Sequence, residues 1–440
     1  MSTSAMPHTT HKPLVKALPW QWNLVWTSVG TLVYAACNWA MLSAIAKLGT
    51  PEMVGQFALG LAVTAPVLML AQMNLRAVLA TDARGEHGFR DYRAVRINAT
   101  VAGLLVILGI AAAGYGAKVA ALIVAVGLGQ AVEGISDIYY GLMQRHERMD
   151  RITISLGLRG PLGLAAMVAG VWATGSVLWG AVALFAARLL VLALYDGAMG
   201  SRDFVACEPA PQRTRREAAA RQFSIFWVAL PLSSVMLLNS LATNMPRYFI
   251  EHHIGTRELG IFSAAASLVS VGNTLINAVG QTVTPRLAKL FAWEGRDAFA
   301  SFSLRLLGFG AGLGLCAVAC AATLGRWVLA LMFRAEYAEH AGLLTALMVA
   351  GAIGYLASLL GYAVTAARSF RAQMPLFVVV TIATLIASAL LIPAYGLAGA
   401  AIASGISSAV QLAGLAILFL RLTARNRSLA FPAPELETNA

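Results

Sequence analysis

The sequence predicts an all-α polytopic membrane protein with twelve transmembrane helices in two six-helix lobes and both termini cytoplasmic. Three observations predict it: a composition too apolar for a soluble domain, apolar runs long enough to cross a bilayer, and cationic residues crowded on alternate connections. Of the 440 residues 59% are apolar and 12% charged, and the mean hydropathy is +0.72. Soluble domains carry roughly 25% charged residues. A soluble enzyme is therefore excluded. So is a disulfide-stapled domain, because three of the four cysteines, Cys37, Cys316 and Cys320, lie inside apolar runs as small packing residues.

A helix needs about 20 apolar residues to cross roughly 30 Å of hydrocarbon. Such runs lie at 24–46, 54–75, 97–115, 118–142, 152–172 and 177–198, and then at 223–249, 259–284, 301–324, 341–366, 374–393 and 397–420. The segment before the first is polar and carries Pro7, Pro13 and Pro19, so no cleavable leader is expected. Trp20, Trp22 and Trp26 at its entry suit an interfacial aromatic belt. Gly200 to Gln222, with Pro209, Pro211 and Arg213-Thr214-Arg215-Arg216, reads as a linker at mid-chain. The expected organisation is a cytoplasmic tail over 1–22, an N-lobe over 23–199, a cytoplasmic linker over 200–222, a C-lobe over 223–420 and a second cytoplasmic tail over 421–440.

Orientation follows from the cations, which are retained on the cytoplasmic side. With these spans, 24 of the 32 Lys and Arg residues fall on one side and six on the other, with Arg159 and Arg188 left inside spans. Omitting one helix would scramble that alternation. The net charge of +12 thus reads as topology rather than as a nucleic-acid footprint.

The halves repeat each other. Asn38 precedes Gly49-Thr50-Pro51-Glu52-Met53-Val54-Gly55-Gln56-Phe57 as Asn244 precedes Gly255-Thr256-Arg257-Glu258-Leu259-Gly260-Ile261-Phe262. Arg76, Gly85 and Phe89 match Arg286, Gly295 and Phe299, and Gly180-Ala181-Val182-Ala183 matches Gly399-Ala400-Ala401-Ile402-Ala403. Gly/Ala-rich composition alone yields such matches, but these keep the same order in both halves. Repeats with an even number of spans share one orientation, which is transporter architecture.

A charge inside the bilayer costs roughly 3 kcal/mol or more unless paired or wetted. Glu133 and Asp137 lie four apart on the fourth run, with Arg159 on the fifth, Arg188 on the sixth and Asp196 near the end of that run. Depth judged from the connecting loops makes an Asp137–Arg159 or Asp137–Arg188 pair the expectation. Its role is either to knit helices together or to serve as an anion, headgroup or proton-sensitive contact. Arg247, after Pro246 and one turn from Glu251, reads as a paired helix-end arginine or as a phosphate clamp. Asn273, Asn277 and Gln281 form a polar stripe, for interhelical hydrogen bonds or for a cavity wall facing hydroxyl-rich cargo.

Enzyme readings fare poorly. None of the five lysines has a phosphate-loop context, so ATP is not expected, and energy is assigned to an ion gradient, the membrane potential or the cargo gradient. The seven histidines show no metal spacing, and no cofactor is expected. His252-His253 reads as solvated, with pH sensing as the alternative. The outward connections leave no room for a catalytic domain, which weighs against a glycan polymerase or ligase.

The stretch Asn244-Met245-Pro246-Arg247-Tyr248-Phe249-Ile250-Glu251, with Ile254-Gly255 and Leu259-Gly260-Ile261-Phe262-Ser263, resembles bacterial polysaccharide-biosynthesis flippases. So do Asn74-Leu75-Arg76 with Thr81-Asp82, Phe89, Tyr92 and Arg96, and Tyr395-Gly396-Leu397-Ala398-Gly399-Ala400-Ala401. These flippases share a superfamily with multidrug and toxin extrusion (MATE) transporters and with lipid II flippases, which usually carry two further helices. The resemblance implies a MATE-like bundle, a cavity lined mainly by helices 1, 2, 7 and 8, and alternating access. It also implies the cargo, an oligosaccharide on undecaprenyl pyrophosphate turned from the cytoplasmic to the periplasmic leaflet of the inner membrane. Membrane lipids, a polysaccharide polymerase and assembly proteins are the partners implied. The phosphates would meet Arg247, Arg76, Arg188 or Arg159, and the sugar Asn38, Asn273, Asn277 and Gln281. Glu133, Asp137 and Glu251 are the ion-pair or coupling candidates, and the resemblance assigns no role to the charges of the fourth to sixth spans. The competing reading is an ion-coupled multidrug exporter of the same superfamily.

Overall fold

The computed structural model describes residues 19–81, 88–203, 215–367 and 369–424. Asp82, Gly85, His8, His11, His87, Cys207, most of the expected tails 1–22 and 421–440, and 204–214 of the expected linker lie outside them. Every regular element among the described residues is helical. In chain order these are α1 (Trp20–Leu48), α2 (Pro51–Gln72), α3 (Leu75–Thr81), α4 (Phe89–Gly114), α5 (Ala117–Arg145), α6 (Met149–Thr174), α7 (Val177–Val191) and α8 (Gly197–Asp203). There follow α9 (Arg215–His253), α10 (Thr256–Lys289), α11 (Arg296–Met332), α12 (Ala335–Ala338), α13 (Ala341–Ala366) and α14 (Phe370–Ala424).

Each apolar run read from the sequence lies largely within these helices, because in lipid the backbone must satisfy its own hydrogen bonds. Among the described residues ten helices are long and apolar enough to cross a membrane. Helix α9 is not one of the ten, and α14 enters as a single stretch, Ala372–Ala424. Gly396 breaks that stretch at φ 58° and ψ −134°, a conformation open to glycine.

The described chain forms two compact units. Residues up to Leu42 and Val63–Ser233 make the first; Ser43–Ala62 and the residues from Ser234 onward make the second. In the first, α5 packs against α3, α4, α6 and α7. In the second, α13 packs against α10, α11 and α14. Phe89 and Phe299, matched in the sequence repeat, are both fully buried. Phe89 stacks near Tyr139 at 5.3 Å and Phe299 near Phe419 at 5.7 Å, each anchoring the core of its own unit. Burying one such ring contributes roughly 1.5–3 kcal/mol.

Residues 43–62, expected in the first lobe, are held in the second unit by a glycine crossing. A Cβ on Gly55 would lie 1.7 Å from the Thr256 carbonyl oxygen, and one on Gly260 would lie 1.9 Å from that of Pro51. The two repeated segments therefore meet backbone to backbone, which only the absence of side chains permits. Arg257 clasps this crossing between Glu52, at 3.7 Å, and Glu336. Tyr248 donates to the Ala62 carbonyl, and Arg334 donates to that of Lys47 at 2.8 Å.

Candidate functional site

Two polar regions lie within the apolar helices, one in each unit. In the first, α5 is the spine. Met73 and Asn74 take positive φ, 51° and 45°, which ends α2 and restarts the chain as α3; asparagine tolerates that region better than most residues. The turn delivers Arg76, whose Nη1 donates to Asp137 Oδ1 at 3.2 Å while Nε donates to Gln144 Oε1 at 3.1 Å. Arg96 donates to Asp137 Oδ2 at 3.2 Å and is fully buried. One turn before Asp137, Glu133 accepts from Arg188 at 3.1 Å and from the Tyr34 hydroxyl. Arg159 pairs with Asp196 at 2.7 Å and also donates to Ser136. Asp196 reaches it from a π-helical turn, Leu192–Asp196, whose extra residue shifts the helical phase. The Tyr140 ring lies between the Arg76 and Arg159 guanidiniums, 5.6 and 5.5 Å from their central carbons.

The expected Asp137 pairs with Arg159 or Arg188 are thus corrected. Asp137, Arg159 and Arg188 lie on three neighbouring helices, and helical phase and the π turn decide which partner each one meets. Arg96, which the sequence reading places in a cytoplasmic connection, is instead sealed inside α4. Each carboxylate in this chain of contacts holds an arginine, and the contacts link α3, α4, α5, α6 and α7 with the π turn.

The second unit is different. It carries a half-open cavity of about 400 Å³, within the roughly 300–1,000 Å³ range of small-molecule sites. Helix α9 supplies Asn239, Thr243 and Arg247, at i, i+4 and i+8. Ser270, Asn273 and Asn277 come from α10. The latter part of α14 adds Ser404, Ser407, Ser408 and Gln411, at i, i+3, i+4 and i+7. Each is one polar face of an otherwise apolar helix. The α14 face and the Asn239-Thr243 pair were missed from the sequence, although their spacing is the signal that exposed the α10 stripe.

Arg247 donates to Asn244 Oδ1 at 2.7 Å, and its buried Nε has no hydrogen-bond partner. No carboxylate lies within ion-pair distance of it among the described residues. Glu251, one turn along α9, does not pair with it. Asn277 lines the cavity and accepts from Tyr362 at 3.3 Å. Gln281 also meets Tyr362 but is not part of the wall. Asn38 belongs to the first unit, beside Tyr34. Among the described residues no cluster of His, Cys, Asp or Glu is arranged to hold a metal ion.

A family model described as polysaccharide biosynthesis protein matches residues 21–291. The chain belongs to that family. The capsular polysaccharide biosynthesis protein CapF of Staphylococcus aureus is 27% identical over 402 residues, covering 91% of this chain and 99% of that protein. The inward-facing structure of a multidrug resistance MATE family transporter of the MOP superfamily matches with a TM-score of 0.67 at 16% identity, over 93% of this chain and all of that one. Lipid II flippase MurJ, in an inward closed conformation, matches with a TM-score of 0.66 at 11% identity, over 91% of this chain and 90% of that one. At such identities the two structures establish the fold alone. The protein is therefore a multi-span membrane member of a polysaccharide biosynthesis family with the MATE-like fold of transporters.

Proposed function

We propose that the protein is a flippase, moving an undecaprenyl-pyrophosphate-linked oligosaccharide from the cytoplasmic to the periplasmic leaflet of the bacterial inner membrane by alternating access, for O-antigen, capsule or exopolysaccharide assembly. The observation that carries the reading is the cavity of the second unit, where a guanidinium without a carboxylate partner stands among hydroxyls and carboxamides. A sugar chain on a pyrophosphate cannot enter hydrocarbon, since its hydroxyls and charges would lose their water. A polar cavity replaces that water while the prenyl tail stays in lipid. Arg247 meets the phosphates; Asn273 and Asn277 meet sugar hydroxyls.

The topology that goes with this function has twelve spans and cytoplasmic termini. Reading α14 as two spans about Gly396 and α9 as a further one supports the count, and the cationic asymmetry of the connections supports the orientation. A polymerase receives the translocated cargo, and the flippase itself performs no bond chemistry. A drug exporter for organic cations needs a carboxylate open to its cargo. Among the described residues the cavity wall has none, and Glu133, Asp137 and Asp196 each hold an arginine.

Reconstitution tests this reading. Arg247→Gln, folded and inserted in vesicles, is expected to lower translocation of lipid-linked oligosaccharide at least about tenfold, the scale of one charge-assisted hydrogen bond. Translocation at the unmodified rate would remove the clamp.

A further inference from the structure

Resting on the alternating access of that reading, we propose that the α1–α2 tip, residues 43–62, docks and undocks as a cap during transport, that Pro66 is its hinge, and that Tyr248 is the positioning residue that holds it docked. The tip belongs to the second unit, although the chain on both sides of it belongs to the first. Helix α2 therefore changes unit between Ala62 and Val63, within one helix that also contains Pro66. Its two parts follow different bodies.

Proline makes that possible. Pro66 has no N–H, and the carbonyl it would have met four residues back is that of Ala62. The Tyr248 hydroxyl donates to that same carbonyl. Among apolar helices an open carbonyl is costly, so this one needs a donor: Tyr248 while the tip is docked, water once that end of the bundle has opened. The other fastenings obey the same rule. Lys47 lies in the last turn of α1, and the residue four further on, Pro51, again has no N–H; the Lys47 carbonyl accepts from Arg334 at 2.8 Å. Met332 ends α11, and its carbonyl accepts from the Ser43 hydroxyl. Each of the three carbonyls is one that its own helix leaves open. The three bonds can therefore break and reform without unwinding a helical turn. At the Gly55–Gly260 crossing backbone lies against backbone, with no side chain to unhook. The exposed Arg257, 3.7 Å from Glu52, adds a clasp that water screens.

Double electron–electron resonance between spin labels at Lys47→Cys and Glu339→Cys reads the docking, in the full chain in nanodiscs with the four native cysteines replaced by alanine. Both positions are exposed, and Lys47 meets Arg334 through its carbonyl. Tyr248→Phe is expected to raise the ratio of long-distance to short-distance chains about fivefold, the equivalent of one hydrogen bond. Pro66→Ala restores the missing N–H. In that background the same Tyr248→Phe change is expected to move the ratio by less than about twofold, and Pro66→Ala itself is expected to slow translocation of lipid-linked oligosaccharide, because α2 no longer bends there. Arg334→Gln, on the exposed rim, raises the long-distance fraction in the same sense if a variant within the bundle does not fold. No effect of Tyr248→Phe or Arg334→Gln, an equal effect of Tyr248→Phe in both backgrounds, or undiminished translocation by Pro66→Ala would overturn the hinged cap. The expected coupling between positions 66 and 248 in a chain that translocates nothing would overturn the flippase reading and leave the cap standing.

Discussion

The central helices of the two units make the informative comparison. Both α5 and α13 pack against three or more neighbours and bury a comparable run of small and aliphatic residues. Yet α5 carries Glu133 and Asp137, whereas the positions equally far from the start of α13 are Ala357 and Gly361. In the first unit the carboxylates attract arginines from α3, α4 and α7, and the polar interior closes on itself. In the second, no carboxylate among the described residues lies within ion-pair distance of Arg247, and a polar cavity remains beside it.

Variants can break or sharpen that contrast. The largest effect is expected for Asp196→Ala in the first unit, which strands Arg159 where neither side chain is more than 1% exposed. Breaking a buried pair costs about 3–5 kcal/mol, and Arg159→Met with Asp196→Leu should recover most of it. Thermal unfolding in detergent measures both, and a double variant no more stable than Asp196→Ala would mean that the pair does more than fill space.

Next comes Gly260→Ala at the crossing in the second unit. Its methyl would meet the Pro51 backbone, which cannot rotate away. A loss of about 1–3 kcal/mol in unfolding free energy is expected, typical of overpacking; an unchanged melting curve would show that the helices slide apart freely. A loss of similar size, about 1–3 kcal/mol, is expected for Asp137→Asn: the carboxylate and Arg76 are partly exposed, but Arg96 is fully buried and loses its charged partner.

Smallest is the stability effect of Arg247→Gln, about 1 kcal/mol, since no ion pair is lost and only the hydrogen bond to Asn244 is at stake. A destabilisation as large as that of Asp196→Ala would make Arg247 a packing residue and erase the distinction between the units.

Much of the fold was legible in the chain itself. The run expected at 341–366 coincides with α13, and the break expected between 393 and 397 falls at Gly396. The repeat read around Gly55 and Gly260 acquires a cause in their crossing. Of the site, Asn273, Asn277 and Arg247 were legible because polar groups are conspicuous on an apolar helix. The ion-pair partners were not: Asp137 takes Arg76 and Arg96, and Asp196 claims Arg159.

Sequence alone determined where helices form, because an apolar run in lipid has one way to satisfy its own backbone. It also determined the family, through motifs spread over both halves. Only the tertiary structure decided which charges meet, which segment joins which unit and which polar faces share a cavity. Those depend on the rotation of each helix about its axis, and a single turn of π-helix or a pair of left-handed residues is enough to redirect a side chain to a different neighbour.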